Sequence, residues 1–276
     1  MTAVAQAVAG GVIGGRLWLY ANYHCNLTCT YCLTESAPAV ARRQLPLERL
    51  AEIASEARET GFTALGVTGG EPFLVGGLPG ALAAMASQLP TVVLSNGTLF
   101  TPRLLAEMAP LAGLDLAVQV SLDSADPEAN DEMRGPRNFA KVVEAIPRLR
   151  ALGLTVRVAT TTEGMTPEAL ARLCDLHRSL GVDDEDHVVR PIVRRGRAVD
   201  HGMGMDAEPG DLPAELTITA GGAFWSPFGP TVHGGRLDTD LLVTRTTRPL
   251  SVPASAMLRI AGTAGPRPAA DGPRIR

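Results

Sequence analysis

The sequence predicts an α/β fold: a partial (βα)6 three-quarter TIM-like barrel with a small C-terminal β-hairpin extension. Three observations predict it. Strand-like and helix-like segments alternate from Arg16 to Val193, and such alternation implies a parallel sheet with helices outside it. The six strands that can be read fall short of the eight that close a full barrel; a doubly wound flat sheet is the structural alternative. After Arg197 the rhythm gives way to Gly- and Met-rich chain and one hairpin pattern.

Each element has a local reason. Arg16–Ala21 alternates Leu17 and Leu19 with aromatic neighbours and reads as the first strand. Pro46 suits a first helical turn, Leu47, Leu50, Ile53, Ala54 and Ala57 form a 3.6-residue stripe, and Gly61 ends the helix begun at Pro46. Ala64–Thr68 is a short buried strand, Leu78–Gln88 a helix, and Thr91–Ser95 a strand rich in β-branched residues. Thr101 caps a helix running to Met108, with Pro102 at its first position. Leu114–Leu122 is a strand, and Asn138–Leu152 a helix in which Pro147 predicts a kink. Thr155–Thr161 is a strand, Thr166–Leu180 a helix with Thr166 as cap and Gly181 as stop, and His187–Val193 the last strand of the series.

The remainder divides the chain. Met1–Gly15 is apolar but lacks the basic start of a secretory signal, so residues 1–15 are expected to be a flexible leader. Residues 16–198 form the barrel. Residues 199–260 form an extension containing the hairpin at Leu216–Ala220 and Ala223–Trp225, a short strand at Asp240–Thr244 and a helix at Pro253–Ile260. Residues 261–276 are expected to be a disordered tail.

Composition bounds the function. Hydrophobic residues make up 45% and charged residues 20% of the 276 residues, as in a globular chain able to bury a core. A net charge of -4 argues against general nucleic-acid binding. No apolar run is long enough to span a membrane.

Of the four cysteines, Cys25, Cys29 and Cys32 share one short stretch, HCNLTCTYC, with C-x3-C-x2-C spacing. They follow the first strand, and the loops after barrel strands form the reactive face. Three structural cysteines on one short loop are improbable. A structural zinc site takes four protein ligands; Cys174 lies in a later helix, and His24, beside Cys25, would point away. Three thiolates suit an iron–sulfur cluster in which one iron lacks a protein ligand and stays open to another molecule. Cys174, among Leu170, Leu173 and Leu176, is expected to be a buried, inert core residue.

The stretch Cys25-Asn-Leu-Thr-Cys29-Thr-Tyr31-Cys32 resembles the cluster loop of radical S-adenosylmethionine enzymes, and later motifs fall at matching strand ends from Arg16 to Arg197. The resemblance implies that Cys25, Cys29 and Cys32 hold one [4Fe–4S] cluster and that S-adenosylmethionine chelates its fourth iron. It implies that Tyr31 lies by the adenine and that Gly69, Gly70, Glu71 and Pro72, in VTGGEP, receive the methionyl ammonium. Without it, the glycines suit a turn after a strand or a close approach of backbone to ligand. Ser95 and Asn96, in TVVLSNG, are weaker candidates for facing the cofactor, since Asn-Gly is also a turn signal. QVSLDSADPEANDEMRG is similar to the peptide-modifying branch, where the Ser and Asp lie near the methionyl carboxylate and ribose; Ser121, Asp123 and Arg134 match. Alone, Ser121 and Asp123 also suit turn caps. Arg134 has a physical rationale as well, because guanidinium binds carboxylate in a fixed fork. Thr160 and Thr161 are minor candidates beside the ribose.

The resemblance departs in the extension. Related enzymes carry further cysteines there for extra clusters, whereas here Ser226 or Pro227 stands where one is expected and no cysteine follows Cys174. A cysteine-free, degenerate extension that covers the barrel or shapes access is expected, with an ordinary packing hairpin equally consistent. Arg190 is positioned to face the barrel interior, and Arg194, Arg195 and Arg197 suit either an anionic substrate or the nearby acidic run.

The resemblance thus implies an enzyme in which the cluster reductively cleaves S-adenosylmethionine to a 5′-deoxyadenosyl radical that abstracts hydrogen from a peptide or other natural-product precursor. It implies an electron donor such as flavodoxin or ferredoxin and a cytoplasmic location. A small sugar or nucleoside substrate is the alternative within the class. A non-catalytic metal-binding protein is the alternative outside it, against which the GGEP segment and Arg134 argue.

Overall fold

The structure, a computed structural model, describes residues 1–263. A first helix, α1 (Ala3–Ala9), leads into β1 (Arg16–Asn22). There follow α2 (Leu47–Thr60), β2 (Ala64–Gly69), α3 (Leu78–Ala86), β3 (Thr91–Ser95), α4 (Pro102–Met108) and β4 (Leu116–Ser121). Two helices, α5 (Pro127–Arg134) and α6 (Asn138–Ala151), precede β5 (Thr155–Thr162), and α7 (Pro167–Ser179) precedes β6 (His187–Pro191). The six strands β1 to β6 pair in chain order and all in parallel. This is the predicted partial barrel.

Strand alternation builds its two faces. Leu17 and Leu19 of β1 point outward into the main core, where they meet the α2 stripe of Leu50, Ile53, Ala54 and Ala57. Burying a Leu or Ile of this kind stabilises the fold by about 1.5–3 kcal/mol. Trp18 points inward, beneath the cavity, and packs with Val92, Ala117 and Leu94. Gly66 stands opposite Trp18 in the β1–β2 register. A Cβ at Gly66 would lie 2.4 Å from the indole, so only glycine leaves room for the ring there.

The extension begins with α8 (Arg197–Asp200), then β7 (Thr217–Thr219) and β8 (Gly222–Phe224). The short pair β9 (Val232–His233) and β10 (Arg236–Leu237) follows, then β11 (Leu242–Thr244) and α9 (Ser251–Thr263). The predicted hairpin forms, but it is not a separate appendage. β7 pairs in parallel with β1 through Trp18↔Thr217 and Leu19↔Ile218, so the sheet reads β11-β8-β7-β1-β2-β3-β4-β5-β6. The otherwise open edge of β1 is thereby covered.

Several expectations need correction. Residues 1–15 do not form a flexible leader: Thr2 caps α1 by accepting a hydrogen bond from the Ala5 N–H, and Val4 and Ile13 are buried. The small apolar residues of α1 pack against the C-terminal end of α2 and against α9, burial that a solvated segment would forfeit. The boundary after residue 198 falls inside α8. The helix α5 adds an element that periodicity does not predict, because its eight residues carry acidic side chains and no apolar stripe. Residues 261–263 complete α9, and the rest of the expected tail lies outside the described residues.

Candidate functional site

The C-terminal ends of the parallel strands surround a cavity of about 240 Å³. Cys25, Cys29 and Cys32 all line it, on the long connection between β1 and α2. Tyr31, Gly69, Gly70, Ser95, Asn96, Ser121 and Arg134 line it with them. Glu71, Pro72 and Asp123 do not; they lie behind the wall and hold it.

The glycines after β2 are required by the cysteine loop itself. The Gly70 N–H donates to Asn22 O (3.1 Å) and the Glu71 N–H to His24 O (3.0 Å). A Cβ on Gly70 would lie 2.2 Å from His24 O, and one on Gly69, whose φ is +148°, would lie 2.5 Å from Asn22 O. The GG pair is thus what lets this backbone lie against the residues just before Cys25.

Glu71 ties the ends of β2 and β3. Its carboxylate accepts from the Phe73 N–H (3.1 Å), the Ser95 hydroxyl (3.0 Å) and the Asn96 N–H (2.7 Å). Burial pushes its pKa up to about 7, and the three donors only partly offset that. Asn96 in turn donates from Nδ2 to Asn26 Oδ1 (2.9 Å) and toward Cys25 Sγ (3.5 Å). Glu71 therefore positions Asn96, and Asn96 positions the first cysteine.

On the opposite wall, Asp123 gathers three elements. Its Oδ2 accepts from Tyr31 Oη (2.5 Å) and Arg134 Nε (2.6 Å), and its Oδ1 accepts from the Thr161 N–H (2.8 Å). Arg134 Nη2 donates to Tyr31 Oη (2.7 Å), which closes a ring of three side chains. Burial works against the charge on Arg134, but Asp123, Tyr31 and Cys29 together outweigh it and raise the guanidinium pKa. Arg134 O also lies 3.7 Å from Cys29 Sγ. Ser121 makes no side-chain hydrogen bond among the described residues, which leaves its hydroxyl to the cavity. Thr161 lines the cavity, whereas Thr160 is buried behind it against Leu122 O and His187.

Arg197, which its place in the sequence suits to an anionic substrate or surface ion pairs, instead binds the cysteine loop. Its Nη1 donates to Cys29 O (2.5 Å), its Nη2 to Ser36 O (3.0 Å) and its backbone N–H to Cys32 O (3.0 Å). Gly196, at φ +58°, brings this about, since a Cβ there would lie 2.3 Å from Leu33 O. The G-R pair at the exit of a barrel strand was the available sequence signal. Arg194 pairs with Asp206, and Arg195 with Asp238 and Asp240. Cys174 is partly exposed rather than buried, with Sγ 3.7 Å from His187 Nδ1, and does not line the cavity. The extension closes one side of the cavity through Pro227 and Phe228, and Pro227 O accepts from Tyr20 Oη (2.8 Å).

The three thiols fit a cluster better than a single ion. A tetrahedral ion bound at about 2.3 Å needs sulfurs about 3.8 Å apart. The three Sγ atoms do not all lie within 4.8 Å of one another, the spacing at which Glu35, Asp200 and His233 alone group among the described residues. Cys25 Sγ accepts from the Leu27 N–H (3.4 Å) and Cys32 Sγ from the Ser36 N–H (3.3 Å), the kind of donation that stabilises metal-bound thiolates. Burial pushes the Cys25 thiol up to about 12 and the Cys29 thiol up to about 11. At neutral pH these thiols are protonated until a cation displaces the proton.

Residues 20–180 match the profile of the Radical SAM superfamily. The chain is 31% identical over 134 residues to mycofactocin maturase MftC of Mycolicibacterium smegmatis, covering 48% of this chain and 33% of that protein. It spans less than half the length of the curated relatives it matches. Streptococcus suis SuiB bound to its precursor peptide SuiA superposes with TM-score 0.59 at 18% identity, over 75% of this chain and 46% of that one. anSMEcpe with bound AdoMet and a peptide superposes with TM-score 0.61 at 12% identity, over 87% of this chain and 79% of that one.

Proposed function

Because the chain belongs to the Radical SAM superfamily, we propose that it cleaves S-adenosylmethionine reductively and abstracts hydrogen from a peptide or other natural-product precursor. The observation that carries this is the meeting of all three cysteines with Tyr31, Gly69, Ser121 and Arg134 around one cavity. A [4Fe–4S] cluster held there by Cys25, Cys29 and Cys32 would supply the single electron that reductive cleavage of S-adenosylmethionine requires.

The chain's own residues bind, orient and shield. Cys25, Cys29 and Cys32 hold the cluster, with Arg197 and the amides of Leu27 and Ser36 fixing the loop and tuning its charge. Gly69, Gly70, Ser95, Asn96 and Ser121 contact S-adenosylmethionine. Tyr31 lies against the adenine, and Arg134 offers Nη1, unbonded among the described residues, to the methionyl carboxylate. Glu71, Pro72 and Asp123 act from behind, as positioning residues. Phe228 and Pro227 of the extension exclude water from the open side. A flavodoxin or ferredoxin supplies the electron.

Likeness in fold to SuiB, solved with its precursor peptide, and similarity to a mycofactocin maturase support the peptide substrate. The test uses the anaerobically reconstituted, reduced chain, S-adenosylmethionine and a deuterated form of a candidate precursor peptide, chosen from any short reading frame found beside its gene. Deuterium is expected in 5′-deoxyadenosine, with loss of mass from the peptide. 5′-Deoxyadenosine free of deuterium would reject that peptide as substrate.

A further inference from the structure

The inner face of the barrel holds one cation, Arg190, with no hydrogen bond or ion pair of its own among the described residues. Arg190 lies on β6, opposite Thr161 of β5, and both line the cavity. Its Nε is buried with no hydrogen-bond partner, and the guanidinium makes no hydrogen bond or ion pair among the described residues. The other cations near it are engaged: Arg134 is paired with Asp123, and Arg16 has Glu215 beside it. Burial pushes Arg190 down to about 10, so the side chain remains charged at neutral pH. Pro191, Ile192 and Leu94 line the same wall, and Asp123 and Tyr31 favour its charge through space without bonding it.

A second unsatisfied group lies deeper on the inner face of the barrel, below the cavity wall. Gln119 is two residues before Ser121 on β4 and so shares its inward face, one step deeper in the barrel. Both the oxygen and the nitrogen of its amide are buried without partners. Buried polar groups in folded proteins are almost always paired, and buried charges more so. Gln119 does not line the cavity; Arg190 does, and its unpaired guanidinium points to a ligand that brings the missing acceptors.

We propose that the molecule acted on in this cavity carries a carboxylate that pairs with Arg190. One unpaired guanidinium matches one monoanion and its planar, two-oxygen geometry. The proposal rests on the reading of this cavity as the reactive site and assigns its substrate a chemical class. Two sources offer a carboxylate, the substrate and the methionyl end of S-adenosylmethionine, and the proposal commits to the substrate.

The experiment uses the full chain, reconstituted with cluster and S-adenosylmethionine, titrated calorimetrically with N-acetylglycine, its neutral amide and inorganic phosphate. Binding of N-acetylglycine, with none of the amide, is expected, weakened on the order of tenfold or more in R190Q and partly restored in R190K. Equal binding of acid and amide, tighter binding of phosphate, or an acid affinity unchanged in R190Q would each overturn the proposal. So would an equal loss of S-adenosylmethionine affinity in R190Q, which would assign the pairing to the cofactor. The ligand-free R190Q chain is expected to unfold at or above the wild-type Tm, because it loses only an unpaired charge; a lower Tm would reveal a protein partner and refute the argument. A wild-type chain that binds the acid but never cleaves S-adenosylmethionine would sink the functional reading and leave the anion site standing.

Discussion

Replacing Asp123 by Asn tests the wall that carries Tyr31 and Arg134. The carboxylate is wholly enclosed, and one of its oxygens serves both Tyr31 and Arg134 while the other serves the Thr161 N–H. An amide cannot accept at both ends, so either Thr161 N–H or the Tyr31–Arg134 pair faces an N–H₂ group. The larger effect is electrostatic: Arg134 stays buried and charged without its partner. Breaking one side of a buried ion pair costs about 3–5 kcal/mol, and in a chain of this size each kcal/mol lowers Tm by about 2–4 °C. D123N is therefore expected to lower Tm by roughly 6–20 °C, read by circular dichroism on the cluster-free chain. Its midpoint in urea should fall with m unchanged. Y31F, which removes one hydroxyl and no charge, should cost only about 1–2 kcal/mol. If D123N unfolded within about 1 kcal/mol of wild type, or if Y31F matched it, the ion pair would not be what holds this wall.

Other consequences follow from the same geometry. Gly70→Ala would bring a Cβ to 2.2 Å from His24 O, a backbone atom that cannot rotate away; iron bound per chain after reconstitution should fall sharply, and full iron content would contradict the packing argument. Glu71 has a folded pKa of about 7 against an ordinary 4.5, so its contribution is fully present below pH 4.5 and is lost as pH rises through 7. Relative to E71Q, the wild-type chain should lose about 3 kcal/mol between pH 4.5 and 7.5 in urea unfolding, and a pH-independent difference would show that the donors dominate. In the cluster-free chain, a thiol held near 11 has roughly a hundredfold less thiolate at pH 8 than a free cysteine. Alkylation of Cys29 should be slowed accordingly and recover as pH approaches 11; rapid alkylation at pH 8 would mean that the loop opens without its cluster.

Much of the fold was legible because its signals are local. Thr101 and Thr166 each cap the helix they precede, and Gly61 ends α2 in a left-handed conformation. The course of the first six strands followed from periodicity and stops. What was not legible depends on contacts distant in sequence. The pairing of β7 with β1 joins residues about 200 apart, and α1 folds against α2 and α9 with little periodic signal of its own. In the site, ten of the thirteen residues singled out line the cavity. Glu71, Pro72 and Asp123 do not, because sequence gives a residue's place along a strand end and not which side of the wall its side chain serves. The role of Arg197 was hidden for a related reason: its partners are backbone carbonyls of Cys29, Cys32 and Ser36, which leave no mark in the sequence.

The central claim is that three thiols and this cavity make a site for reductive cleavage of S-adenosylmethionine. The most direct measurement is formation of 5′-deoxyadenosine by the anaerobically reconstituted chain under dithionite, beside C29A treated identically. The account predicts the product from wild type and neither cluster nor product from C29A. A wild-type chain with a spectroscopically intact, reducible [4Fe–4S] cluster that forms no 5′-deoxyadenosine would contradict it.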